Sequence, residues 1–130
     1  MESVNITELM AETAQDAVHF AQGQQQTLDF SLESIASVQT LLDELRDTSL
    51  GEKDTFTLSY MFGAYLGELF IQHFGGHWFY QDQQGDEPPQ TFVVRDPYRY
   101  AFPSIIFHYL NKDEQYTLID YFEKIKQQHQ

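Results

Sequence analysis

The sequence predicts an α+β fold, with about five helices around a buried central helix at residues 54–74 and a β-hairpin at about residues 77–95. Three observations lead to this prediction. Apolar residues recur at three- and four-residue steps along several segments, as they do on one face of a helix. One long run is apolar nearly all round, which is typical of a helix buried on several sides. Two short segments rich in aromatic and β-branched residues flank a stretch with Gly and Pro, which is typical of a hairpin.

The chain has the size of one domain, since it has 130 residues, of which 42% are hydrophobic. We divide it into residues 1–26, an N-terminal helix with a Gln-rich connector, and residues 27–130, the main body. The absence of Cys excludes disulfides, thiolate zinc sites and a cysteine nucleophile. The acidic start Met1-Glu2-Ser3 lacks the pattern of a signal peptide, so we expect a cytoplasmic protein.

The first two helices are predicted from apolar periodicity. The first runs from about Asn5 or Thr7 to Gln22, with Ile6, Leu9 and Met10 opening its apolar stripe. The second runs from Ser31, a plausible N-cap, to about Arg46.

The central helix is predicted to begin at Asp54 as N-cap and to end at Phe74, before the Gly75-Gly76 pair. It is shorter than a membrane span and contains Glu68, so it is predicted to be a core helix. Gly63 and Gly67 cost stability inside a helix, which indicates that another element approaches the backbone there.

The remaining elements follow the central helix. Residues 77–81 and 91–95 are predicted to pair as the hairpin, and Asp96-Pro97 to break the second strand. Pro103 near a helix start predicts a short helix through Leu110. A last helix is predicted to begin near Asp113 and to fray after Ile125.

The charge is strongly negative and uneven. The net charge is −13, and residues 1–54 carry 11 acidic and two basic side chains, a balance of −9. Such a surface disfavours nucleic acid and anionic membranes and leaves a basic protein as the expected partner. The candidate acidic interaction face consists of Glu8, Glu12 and Asp16 on the first helix and Asp43, Glu44 and Asp47 at the end of the second. Charge alone nevertheless favours a simpler explanation, that this surface keeps the protein soluble, over a docking surface.

Glu68 is the chemically unusual residue because it lies in the most apolar helix, where an unpaired charge is expensive. One interpretation is a general base with a raised pKa in a pocket. The favoured one is a buried carboxylate bonded to Arg95, Arg99 or a Tyr hydroxyl. The candidate pocket comprises Glu68, His77, Trp78, Arg95, Tyr98 and Arg99.

Motifs of other chemistries do not match. His73 and His77 are separated by Gly75-Gly76, which should break the helix that would align them as zinc ligands. The loop from Asp82 fails the EF-hand spacing, and no phosphate loop or nucleophile elbow is found. We therefore predict no catalytic residue, no metal and no cofactor.

The landmarks of residues 56–126 resemble small bacterial domain families of unknown function. They are the segment Gly63-Ala64-Tyr65-Leu66-Gly67-Glu68 in the central helix, Gly75-Gly76-His77-Trp78 opening a strand, and Phe102-Pro103 opening a helix. The resemblance implies a fold and carries no catalytic residues.

The functional prediction is a small, acidic, non-enzymatic protein that acts through protein–protein interaction, of an inhibitor or immunity type. Two alternatives stay open: a small-ligand-binding protein or hydrolase with a pocket around Glu68, and a DNA mimic. A homodimer is also possible on the sequence.

Overall fold

The structure is a computed structural model and describes residues 5–86, 89–111 and 117–129. Five helices and three strands form within these residues. The helices are α1 (Ile6–Gly23), α2 (Ser34–Arg46), α3 (Glu52–Phe74), α4 (Phe102–Leu110) and α5 (Leu118–Gln128). The strands are β1 (His77–Gln81), β2 (Gln90–Arg95) and β3 (Tyr98–Tyr100). The predicted α+β class is confirmed.

The helix starts show where local capping agrees with the sequence and where it does not. Asn5 caps α1, its side-chain oxygen accepting from the N–H groups of Thr7 and Glu8 at 3.1 and 3.3 Å. The predicted N-cap Ser31 is wrong by two residues, because Glu33 is the N-cap of α2; the Ser31 hydroxyl accepts from Ser34 N at 3.2 Å in the turn ahead of the helix.

The central helix α3, in contrast, begins earlier than predicted. Gly51 is its N-cap, and Asp54 lies in the first turn, where its charge suits the positive end of the helix dipole. Within the core, the helix packs against α1 and α4. The interpretation of the two inner glycines is confirmed: a Cβ on Gly63 would lie 2.5 Å from Pro103 Cα, and one on Gly67 would lie 2.1 Å from the Trp78 ring.

The predicted hairpin is present as β1 and β2, and it continues into a strand that was not predicted. Asp96 and Pro97, joined by a cis peptide bond, form a turn after which β3 pairs antiparallel with β2. The sheet order is β1-β2-β3. Trp78, Val93 and Tyr100 lie opposite one another across the three strands, and all are buried.

The two C-terminal helices differ in how well the sequence predicted them. α4 ends at Leu110 as predicted and has Pro103 in its first turn. The predicted start near Asp113 lies outside the described residues, and α5 begins at Leu118, after Thr117 caps Asp120 N at 3.1 Å. The predicted fraying after Ile125 is wrong, since α5 continues to Gln128 and His129 makes hydrogen bonds.

Tyr65 of α3 holds the connector between α1 and α2. Its ring is fully buried, and its hydroxyl accepts from Phe30 N at 2.8 Å and lies 2.7 Å from Ser34 Oγ. Burial raises the pKa of the Tyr65 hydroxyl. Phe30 itself, at φ 62°, stacks on this ring and is further bonded through its carbonyl to His73 Nε2 at 2.8 Å.

No helix among the described residues has the length and apolar character needed to cross a bilayer.

Candidate functional site

The acidic residues of α1 form one continuous stripe. Glu8, Glu12 and Asp16 are all exposed and are spaced by four, so they stack along one side of the helix. Within the described part of the chain, none of the three carboxylates takes part in an ion pair. We call these three residues the acidic stripe. Within the described residues, no ion pair relieves their mutual repulsion.

The acidic residues at the end of α2 are in a different situation. Glu44 and Asp47 are exposed, but the Asp43 carboxylate accepts hydrogen bonds from Tyr109 Oη and from Gln39 Nε2, the latter at 3.0 Å. Burial and the neighbouring Asp43 carboxylate raise the pKa of Tyr109. Asp43 therefore ties α2 to α4, so of these two helices it is α1 that presents three carboxylates in a row without an ion pair to any described residue.

Gln39 extends this buried connection to α5. Its side-chain nitrogen donates to Tyr109 Oη at 2.6 Å, and its oxygen accepts from Leu118 N at 2.6 Å. The Arg46 guanidinium lies 4.3 Å from the centre of the Tyr109 ring, within cation–π range. These groups join α2, α4 and α5, which makes them structural.

Glu68 is bonded to tryptophan rather than to arginine. The Trp78 indole Nε1–H donates to Glu68 Oε2 at 2.9 Å, and Glu68 is partly buried. The expected bond to Arg95, Arg99 or a Tyr hydroxyl is therefore wrong. A carboxylate that accepts a hydrogen bond at the edge of the core has less need of a cationic partner.

The other predicted pocket residues lie apart from Glu68. The Arg95 guanidinium donates to Phe74 O at 2.6 Å and to His129 Nδ1 at 3.0 Å. Tyr98 packs edge-on against His129 at 5.0 Å, while His77 and Arg99 are exposed. The structure thus brings together Glu68 and Trp78 in one place and Arg95 and Tyr98 in another.

His129 is the centre of the second group, and its hydrogen bonds define its tautomer. Arg95 can only donate, so Nδ1 accepts and carries no proton. Nε2–H then donates to Tyr100 Oη at 2.8 Å, and Tyr100 donates to Gln128 Oε1 at 2.9 Å. Burial and the nearby Arg95 charge lower the pKa of His129. The cluster fastens the end of α5 to the sheet.

A cleft of about 530 Å³ opens between α1, α3 and β1. Three of its lining residues are large and markedly exposed: Leu9 at 45%, Phe79 at 44% and Tyr80 at 46%. None of the described side chains that line it is charged. The lining consists of Ile6, Leu9, Met10, Tyr60, Trp78, Phe79, Tyr80 and Thr91.

Sequence reasoning missed this cleft because it placed Leu9 on the buried stripe of α1. A signal was present, however. Trp78 and Tyr80 are two residues apart, so their side chains lie on the same side of β1. Trp78 packs against Gly67 of α3, whereas Tyr80 has no glycine against it. Tyr80 and Tyr60 both line the open cleft.

Among the described residues no group of three or more His, Asp or Glu side chains is arranged to hold a metal ion. Comparison with protein-family models, curated protein sequences and solved structures finds no match. The resemblance of residues 56–126 to small bacterial domain families therefore stays a prediction.

Proposed function

We propose that this chain is a small acidic cytoplasmic protein without enzymatic activity that acts by binding a basic partner protein, as an inhibitor or immunity-type protein would. The acidic stripe of α1 is the observation that carries the proposal. Glu8, Glu12 and Asp16 are exposed, aligned and free of ion pairs within the described residues.

Electrostatics explains why such a stripe suits a basic partner. Like charges four residues apart on a helix repel one another, and a cationic surface relieves that repulsion. A net charge of −13 also attracts a basic partner over a distance of about one Debye length, about 8–10 Å at moderate salt. Association should therefore be fast at low salt and slow markedly as salt rises.

The alternative of a hydrolase or small-ligand protein built around Glu68 has weaker support. The Glu68 carboxylate accepts a hydrogen bond from Trp78, and the Arg95 guanidinium donates hydrogen bonds to Phe74 O and to His129. No second acid–base group accompanies Glu68 in the geometry described above. A DNA mimic would be a special case of the proposal, in which the basic partner is a DNA-binding protein.

The test is a pulldown from the native host's lysate at low and high salt. The wild-type chain is compared with a stripe variant carrying Glu8→Gln, Glu12→Gln and Asp16→Asn. A matched control removes three exposed carboxylates outside the candidate interaction face by Asp82→Asn, Asp86→Asn and Asp120→Asn. At about 0.2–1 kcal/mol for each exposed charge pair, the stripe variant should retain about tenfold less partner at low salt.

The control variant should retain nearly as much partner as the wild type. Equal losses in both variants would show that total charge matters and that the stripe does not. Retention of the same proteins by wild type and stripe variant would mean that the stripe is only a solvated surface, which is the solubility explanation.

A further inference from the structure

We infer that the cleft between α1, α3 and β1 receives the apolar face of a basic amphipathic helix in the partner protein. This inference rests on the proposed function and adds the chemistry of the contact. The cleft is uncharged and largely apolar, and its volume of about 530 Å³ is enough for several aliphatic side chains. Amphipathic helices bind such grooves through apolar residues at positions i, i+3, i+4 and i+7.

Leu9 connects the cleft with the acidic stripe. It lines the cleft together with Ile6 and Met10 from the same helix. Glu12 follows Leu9 by three residues and Asp16 by seven, so both lie above Leu9 on neighbouring positions of the helix surface. A ligand whose apolar side fills the cleft is thereby placed with its flank beside the stripe.

The dimensions of the stripe match a short helix. At 1.5 Å per residue, the distance from Glu8 to Asp16 along the helix axis is about 12 Å, or about two helical turns. Lys or Arg residues on one flank of a helix two or three turns long would face all three carboxylates. The charge of the stripe and the apolar cleft beside it thus both specify a cationic amphipathic helix.

Other occupants fit these charges less well. A second copy of this chain would add another net charge of −13 next to the stripe. Nucleic acid and anionic lipid would be repelled in the same way. The exposed cation Lys53 is not among the residues that line the cleft.

The test uses a synthetic peptide of about 18 residues, five helical turns, with Leu on one face and Lys on the other and without aromatic residues. Trp78 is the one tryptophan of the chain and lines the cleft, so its fluorescence reports binding there. The decisive variant is Leu9→Asp, because it adds a negative charge while it removes the apolar contact. Ile119→Asp makes the same change at a site of similar exposure, 42%, that lies outside the cleft.

We expect Leu9→Asp to weaken peptide binding by at least about tenfold, and Ile119→Asp to leave it unchanged or slightly tighter. Tyr80→Ser, at another exposed lining position, should weaken it in the same direction, which keeps the test valid if Leu9→Asp proves unstable. A peptide of the same composition but scrambled order should bind more weakly than the amphipathic one. If Leu9→Asp binds the peptide as tightly as the wild type, charge alone holds the peptide and the inference is overturned.

The stripe variant separates this inference from the proposed function. Weaker binding by the stripe variant together with unchanged binding by Leu9→Asp would support the acidic surface and overturn the cleft. The opposite pattern would support an apolar site in the cleft and contradict the electrostatic part of the proposed function. Sedimentation of the free chain as a dimer that Leu9→Asp dissociates would identify a second copy as the occupant and overturn the inference.

Discussion

Replacing Gly67 by alanine tests how closely the sheet is packed on the central helix. The added Cβ would lie 2.1 and 2.2 Å from two carbons of the Trp78 ring, whereas carbon atoms pack at about 3.5–4 Å. The ring cannot simply rotate away, because it is 4% exposed and its Nε1–H is bonded to Glu68. The indole would have to move by more than about 1 Å, which breaks that hydrogen bond.

The magnitude follows from three contributions. Overpacking of a close-packed core costs about 1–3 kcal/mol. Loss of a hydrogen bond to a carboxylate costs about 1.5–3 kcal/mol. The higher helix propensity of alanine offsets about 1 kcal/mol of this loss in stability. We therefore expect Gly67→Ala to lower the free energy of unfolding by about 3 kcal/mol and the Tm by about 10 °C.

Urea and thermal unfolding, followed by far-ultraviolet circular dichroism, measure this effect. Gly23→Ala is the matched control, since Gly23 is the last residue of α1 and its added Cβ would have nothing within 4 Å. The control should be as stable as the wild type or slightly more stable. If Gly67→Ala proves as stable as the control, Trp78 is not held against the helix as described and the reasoning is refuted.

Two further predictions concern buried polar contacts. Tyr65→Phe should lower the free energy of unfolding by about 1–3 kcal/mol, because Phe30 N and the Ser34 hydroxyl lose their partner; an unchanged urea midpoint would contradict this. Because burial and Arg95 lower the pKa of His129, protonation favours the unfolded chain. The contribution of His129 to stability is complete above about pH 6.5 and is lost as the pH falls towards the lowered folded-state pKa. His129→Asn should accordingly lose less stability than the wild type between about pH 7.5 and 5.5, measured by urea midpoints, and equal losses would disprove the assignment.

The helices α1 and α2 could be predicted because each carries its own periodic pattern of apolar residues. The short strand β3 could not, since the three residues Tyr98–Tyr100 are too few to show an alternation. Their strand conformation comes from pairing with β2, and Tyr100 is buried by α3 and α4 residues such as Phe70 and Phe102. Tertiary contacts of this kind override local patterns.

The exposed acidic stripe could be predicted, because the four-residue spacing alone aligns its members on a helix. The partner of Glu68 could not. Matching of opposite charges favoured Arg95 as the partner of Glu68. In the structure the Arg95 guanidinium instead donates to the carbonyl of Phe74 and to His129, which lies 34 residues after Arg95 in the chain. Trp78, only ten residues from Glu68, then supplies the donor. Competition between distant partners is not visible in residue spacing.

The contact between α3 and β1 is close at one end and is bordered by the cleft at the other. Because Gly67 has no side chain, the Trp78 ring packs directly against α3, and its Nε1–H donates a hydrogen bond to Glu68. Two residues along the same strand, Tyr80 lines the cleft, as does Tyr60 of α3. The cleft thus lies next to the close contact at Gly67, and it opens beside α1, the helix that carries the acidic stripe. Substitutions that disturb the Trp78 contact should thus alter the shape of the cleft as well as the stability of the fold.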